Sequence, residues 1–370
     1  MKFSFGFLAI LLAFLAIIAG SSLLVLRTLG AFGLVGSPSA ARTLVWFFSA
    51  TPIVLILCMT LYNKINSPAL SFFYHIGIIW LPILLYLFLG SILLWITYFI
   101  SKSFGVHLPM TLLASIVVFV SLAATAYGIW NATRIRIVTQ TVESTALSAD
   151  WRDKNIVLVS DTHLGIVRNK HFMKKVVKKI NSVNPDIVLF AGDIIDGPKF
   201  NYAKGLEQLS ELRATFGVFY TPGNHEAYNS EPEKFYPIIE KYTIMLRDRK
   251  VDINNTQIIG LDFKNETADT TATRLSTAGY NDNKPSIVIM HDPKNIKALQ
   301  NAGVSLAVSG HTHCGQFFPI NLIVKSIYKK YTYGVNQVGN TASVTTCGVG
   351  TAMSPLRLGT NPEIVIIKVK

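Results

Sequence analysis

Five of the eight histidines, His163, His225, His291, His311 and His313, stand in clusters that follow short β-branched runs. Asn155–Ser160 (NIVLVS) leads into Asp161-Thr162-His163, and Asp186–Ala191 (DIVLFA) into Gly192-Asp193-Ile194-Ile195-Asp196. Gly217–Thr221 (GVFYT) leads into Pro222-Gly223-Asn224-His225-Glu226. Ser286–Met290 (SIVIM) leads into His291-Asp292, and Val304–Ser309 (VSLAVS) into Gly310-His311-Thr312-His313. A lone histidine is usually structural. Five placed this way, together with Asp161, Asp193, Asp196 and Asn224, are hard to explain as packing. Imidazole, carboxylate and amide oxygen suit Mn, Fe or Zn, and the lack of thiolate ligands argues against a structural zinc. Roughly seven ligands exceed what one ion can take while leaving room for water. Two ions ~3.5–4 Å apart, bridged by one carboxylate, activate water and clamp a phosphoryl oxygen for in-line attack. The chemistry expected is hydrolysis of a phosphate ester or anhydride.

Such residues need a scaffold that brings five distant segments to one place. From Arg136 onward, short β-branched runs alternate with polar helical stretches, the pattern of an α/β domain. In open α/β sheets ligands gather beyond the carboxyl ends of the strands, so five strand ends carrying His, Asp and Asn would converge there.

The first part of the chain has a different texture. No Asp or Glu occurs before Glu143, and that stretch holds only Lys2, Arg27, Arg42, Lys64, Lys102, Arg134 and Arg136 as charges. The 50% hydrophobic composition is therefore an average over two halves, which excludes a simple soluble globule and a disordered chain. From Glu143 on, 27 basic residues face 21 acidic ones, so the overall +13 is no nucleic-acid signal. Apolar runs of bilayer length predict an all-α transmembrane region over 1–136, with spans near 3–26, 43–63, 75–98 and 108–130. Residues 137–370 then form the α/β domain. Ile65–Phe73 reads as interfacial because Asn66-Ser67-Pro68 is a breaker, and a fifth span within Ile65–Ser101 stays open. With four spans, Lys2, Lys64, Arg134 and Arg136 share one side and Arg27, Arg42 and Lys102 the other. That count favours a cytoplasmic domain by one residue.

Asp161-x-His163, Gly192-Asp193-x-x-Asp196, Gly223-Asn224-His225-Glu226, His291 and Gly310-His311-x-His313 resemble the calcineurin-like metallophosphoesterase signature, in order and at normal separations. The resemblance implies a four-layer sandwich of two mixed sheets flanked by helices. It implies that Asp161, His163 and His313 hold one divalent ion, that Asn224, His291 and His311 hold a second, and that Asp193 bridges them. A metal-bridging hydroxide would be the nucleophile. His225 would serve the leaving oxygen as acid or electrostatic stabiliser, oriented by Asp196. Gly197 follows Asp196 where protein phosphatases of the family carry Arg, which argues against a phosphoprotein substrate. The flanking residues look more like the bacterial membrane-associated (YkuE/YaeI-like) branch. A phosphodiester or pyrophosphate, with a lipid-linked one as an option, is the implied substrate. A tethered phosphodiesterase for soluble substrates and a membrane sensor with a vestigial domain are the rival readings.

Two departures from that branch stand out. Cys314-Gly315-Gln316 replaces Gly-Gly-Gln, and Thr346-Cys347-Gly348 replaces Ser-Arg-Gly, removing an arginine that could grip phosphate. The two cysteines are either a disulfide beside the metals or two small buried residues, the second being favoured in a cytosolic domain. Lys170–Lys179 reads as an amphipathic helix with a solvated basic face. The polar segment 262–284 reads as a loop or β-excursion at the site rim. No repeat, nucleotide loop or nucleic-acid module is visible.

Overall fold

Uncharged apolar runs have no partner for water and satisfy their backbone internally, so they form long helices. α1 (Phe5–Ala31), α2 (Pro38–Tyr62), α3 (Pro68–Ser103) and α4 (Met110–Asn131) are each long and apolar enough to cross a membrane. The computed structural model describes residues 5–62, 67–145, 147, 151–196, 202–229, 232–264 and 268–370. The predicted first span begins at Phe3, outside them, as do Lys2, Lys64 and Gly197. Two compact units divide between Gly128 and Ile129.

Within the first unit, one expectation is corrected. The third apolar run is a single helix of 36 residues from Pro68, not a shorter one from His75 behind an interfacial segment. Pro68 begins the helix instead of breaking it, because a first-turn proline forfeits only an N–H that has no intrahelical acceptor. At 1.5 Å per residue the helix is ~54 Å long, more than a bilayer core of ~30 Å requires. Trp80 is interior, edge-on to Phe48 at 5.7 Å, and Trp95 donates from Nε1 to Thr28 Oγ1 at 2.9 Å. His75 is satisfied locally, its Nδ1 lying 2.7 Å from the Ser71 carbonyl oxygen.

The second unit builds two six-stranded sheets from β1 (Arg136–Val142), β2 (Ile156–Val159), β3 (Ile187–Ala191), β4 (Val218–Thr221), β5 (Ile244–Met245), β6 (Arg249–Ile253), β7 (Thr256–Leu261), β8 (Ser286–Met290), β9 (Leu306–Ser309), β10 (Gly334–Val338), β11 (Thr341–Thr345) and β12 (Glu363–Val369). The strand orders are β1-β12-β2-β3-β4-β5 and β10-β11-β9-β8-β7-β6. The helices are α5 (Lys170–Asn181), α6 (Tyr202–Leu206), α7 (Asn224–Ala227), α8 (Pro232–Ile239), α9 (Ala268–Thr277), α10 (Ile296–Asn301) and α11 (Ile320–Tyr328).

Successive side chains along a strand face opposite sides, and both sides are buried here. Ile156, Leu158, Ile187, Leu189 and Phe219 of the first sheet meet Ile258, Ile287, Ile289, Leu306 and Val308 of the second in one core between the sheets. The alternate residues Val157, Val159, Val188 and Phe190 meet Met173, Val176, Val177 and Ile180 of α5. Ile259, Val288 and Ala307 meet Leu275 of α9 and Leu299 of α10. Helix, sheet, sheet, helix is the four-layer arrangement. The lysines of α5 lie on the face opposite its four buried residues. Segment 262–284 differs from expectation: it contains helix α9 rather than only loop or strand. From Thr271 on, the buried positions are Thr271, Arg274, Leu275 and Ala278, a helical spacing in which polar residues hide the apolar stripe.

Candidate metal centre

β2, β3 and β4 run parallel, as do β8 and β9, so their carboxyl ends open on common edges. Asp161 and His163 follow β2, Asp193 and Asp196 follow β3, Asn224 and His225 follow β4, His291 follows β8, and His311 and His313 follow β9. All nine sequence-predicted residues meet in one centre. Asp161, His163 and His313 offer ligand atoms within 4.8 Å of one another, as do Asp193, His291 and His311, and His163, Asp193 and His225. Asn224 Oδ1 lies 3.0 Å from His291 Nε2.

The chain bends sharply to present these groups. Asp161, His163, Asp193, His311 and His313 all have φ between +47° and +67°. Each such non-glycine residue costs about 1–3 kcal/mol, which persists only where surrounding structure imposes it. Glu226 supplies part of that structure. Fully buried, it accepts from the backbone N–H groups of Asp193, Ile195 and Gly223 at 2.9, 2.9 and 2.8 Å. Gly223 lies so close to Asp193 that a Cβ would fall 2.2 Å from Oδ1.

The donor set fits cations. Asp161 Oδ2 accepts from Ser160 Oγ at 2.5 Å and from the His311 N–H at 3.0 Å. Its Oδ1 is buried without a hydrogen-bond partner, 3.4 Å from His313 Nε2 and 3.8 Å from His163 Nε2. Two pairs of imidazole nitrogens face each other, His163 Nε2 and His313 Nε2 at 3.0 Å, and His311 Nδ1 and His291 Nε2 at 3.1 Å. His291 Nδ1 donates to the Ala191 carbonyl at 2.7 Å, which directs its Nε2 inward. Asp193 Oδ2 lies between the groups, 3.1 Å from His291 Nε2, 3.8 Å from His163 Nε2 and 4.0 Å from His225 Nε2. An unpartnered carboxylate oxygen among converging imidazole lone pairs is the chemistry of a divalent-cation site.

Electrostatics agree. Burial alone would raise the Asp161 and Asp193 carboxyls, but His313, His163 and His291 around the first and His291, His163 and His225 around the second hold both well below the usual range. Burial would lower His291, yet Asp193 and Asp161 push it up to about 10, so this pocket favours positive charge. Burial together with His163 and Arg357 drives His313 down. For His225, burial is more than offset by the hydrogen bond to Asp196 Oδ1 at 3.1 Å and by Asp193, raising it to about 9.

The sequence reading missed Arg357, which is completely buried. Its guanidinium donates to the carbonyls of His313 (2.9 Å), Cys347 (2.8 Å) and Gly350 (2.7 Å), tying a ligand-bearing turn to the tail. A single arginine in a glycine-rich tail carries no spacing signal. Cys314 and Cys347 form a disulfide with Cα atoms 4.9 Å apart. A cavity of about 470 Å³ opens beside the centre, with Asn224, Tyr228, Phe263, Lys294 and His311 among its walls.

Residues 154–315 match the calcineurin-like phosphoesterase family. A Helicobacter pylori protein called an uncharacterized metallophosphoesterase is 32% identical over 235 residues, 61% of this chain and 63% of that protein. Bacillus subtilis YkuE, also called an uncharacterized metallophosphoesterase, is 30% identical over 250 residues, 64% of this chain and 86% of YkuE. A Bos taurus transmembrane protein with metallophosphoesterase domain is 28% identical over 277 residues, 69% of this chain and 62% of that protein. The chain thus spans less than two thirds of the Helicobacter and Bos relatives.

Proposed function

Because the chain belongs to the metallophosphoesterase family, we propose that its second unit hydrolyses a phosphodiester or pyrophosphate with two divalent ions, Mn, Fe or Zn. The reading is carried by one observation: Asp193 Oδ2 stands 3.8 Å from His163 Nε2 and 3.1 Å from His291 Nε2, one imidazole from each ligand group. Asp161, His163 and His313 would hold one ion, Asn224, His291 and His311 the other, with Asp193 between them. Such ions would supply Lewis-acid chemistry, lowering the pKa of water and polarising a phosphoryl oxygen.

The protein's own groups do the rest. His225 is held at Nδ1 by Asp196, and 31% of its side chain is exposed, so Nε2 can carry a proton to the leaving oxygen. Its raised pKa keeps that proton in place at neutral pH. Lys294, in the cavity wall, is ion-paired with Asp292 at 3.2 Å, so it stands at the rim as part of a neutral pair. Four membrane-length helices hold the unit at a bilayer, which favours a lipid-linked substrate over a freely diffusing one.

Two features bear on the side of the membrane. The basic-residue count favours the cytoplasm by a single charge. The Cys314–Cys347 disulfide favours an oxidising compartment, because cytosolic thiols are kept reduced. A covalent pair is a stronger constraint than one charge, and it supports a unit on the outer face of a bacterial cytoplasmic membrane.

The test uses the full chain in detergent with bis-p-nitrophenyl phosphate. Mn²⁺ should support turnover, and Asp193→Ala should abolish it. Failure with each of Mn, Fe, Zn and Co would sink the enzymatic reading.

A further inference from the structure

α11 buries none of its own residues, although Ile320, Leu322, Ile323, Val324 and Ile327 make it apolar. Phe318, Leu322, Ile323 and Ile327 are 48, 57, 54 and 58% exposed, four large apolar side chains within ten consecutive positions. A contiguous apolar patch of this kind marks an interaction surface rather than scattered exposure. The helix is nonetheless firmly mounted. Gly315 packs so closely on its first turn that a Cβ would lie 2.2 Å from Asn321 Cα, and the Phe318 N–H donates to the Leu358 carbonyl at 3.0 Å. At the other end, the Tyr328 ring sits 6.1 Å from the ring of His311.

The exposed charge on this face is basic, the nearest carboxylates being Asp292, largely buried beside Tyr328, and the buried Glu363 in the cavity wall. No Asp or Glu stands between Asp292 and Glu363, while Lys325, Lys329 and Lys330 flank the apolar residues and are exposed. The surroundings also tie this face to the end of a membrane-length helix. Asn131, the last residue of α4, donates from Nδ2 to the carbonyls of Arg357 (3.1 Å) and Thr360 (2.9 Å). Thr360 lines a cavity of about 480 Å³ together with Lys325, Lys329 and Lys330. Beside Asn131, the Arg134 guanidinium lies 4.6 Å from the Trp130 ring centroid, an aromatic and a basic residue of the kind that anchor a helix end at the headgroups.

We propose that α11 is an interfacial helix that inserts Leu322, Ile323 and Ile327 into a bilayer with anionic headgroups, while Lys325, Lys329 and Lys330 contact the phosphates. An apolar face with flanking lysines on a short helix beside a membrane exit matches the requirements of a helix lying in the headgroup plane. Because Tyr328 touches His311, the mouth of the metal centre is set against the lipid surface. The docking itself does not depend on the hydrolytic reading, so either can fail alone.

The test uses the full chain in nanodiscs of phosphatidylcholine and phosphatidylglycerol. In a Cys58→Ser background, Ile323→Cys and, separately, Leu322→Cys each leave one free thiol for an environment-sensitive fluorophore. Both labels should be quenched by doxyl lipids and shielded from iodide, whereas a label at the exposed Lys284→Cys should show the reverse. Reversing charge at Lys325, Lys329 and Lys330 together should lower the lipid quenching severalfold, with the melting temperature checked to show that the fold is retained. Labels open to iodide and untouched by doxyl lipid would overturn the proposal. So would shielding without lipid quenching, which would mean that protein, either a second copy or the chain's own helices, covers the face.

Discussion

His225 and Asp196 make the sharpest single-residue forecast. Asp196 raises the His225 pKa, so a reaction that needs the protonated imidazole falls off as pH rises through that value. Asp196→Asn removes the charge and the acceptor, lowers the pKa, and should move the alkaline limb of the pH–rate profile to lower pH. His225→Ala should lower kcat by about 10²–10⁴-fold while leaving bound metal unchanged. An alkaline limb that stays in place in Asp196→Asn would remove His225 from the proton-transfer role. Arg357 is a separate matter of stability. Arg357→Leu leaves the Cys347 and Gly350 carbonyls buried without donors, each costing about 1–3 kcal/mol, and should lower the denaturation midpoint markedly. The nine residues of the centre were legible because Asp, Asn and His recur after β-branched runs in fixed blocks. Arg357 and Glu226 were not singled out, since their partners are mostly backbone groups that fold together only in three dimensions.

At the level of elements, strand ends deliver ligands only where two backbones can approach closely. Gly310 ends β9 against β2, and a Cβ there would lie 1.8 Å from Ser160 Oγ and 2.5 Å from Asp161 Oδ2. Gly310→Ala should displace Asp161 and weaken metal binding by tenfold or more, on the order of 1.4 kcal/mol, as read by calorimetric titration with Mn²⁺. Unchanged affinity would show that Asp161 is not a ligand. The two sheets were readable from short β-branched runs, apolar at successive positions because both faces of each strand are buried. α9 was not, because its inward positions include Thr271 and Arg274, the latter neutralised by Asp248 through hydrogen bonds from Nε at 3.0 Å and from its terminal nitrogen. The third membrane-length helix was misjudged because proline reads as a breaker unless it falls in the first turn, where α3 has it.

For the whole molecule, the acid-free stretch supplies the four membrane-length helices and β1, and the carboxylate-bearing remainder supplies the rest of the two-sheet unit. The disulfide adds a constraint that spacing could not decide. Closing a loop of 33 residues, it should contribute ~3–4 kcal/mol, so reduction should lower the melting temperature of the full chain. A membrane-impermeant maleimide should label Cys314 and Cys347 in intact cells only after reduction if the unit faces outward. Labelling only after lysis would return it to the cytoplasm. The central claim, that one centre built from five strand ends holds two ions for phosphoester hydrolysis, is met most directly by counting metal in the purified full chain by mass spectrometry alongside its phosphodiesterase rate. Two ions per active chain, falling to one or none with loss of turnover in Asp193→Ala, is the predicted result. Full turnover in a chain that carries no ion, or in Asp193→Ala, would contradict it.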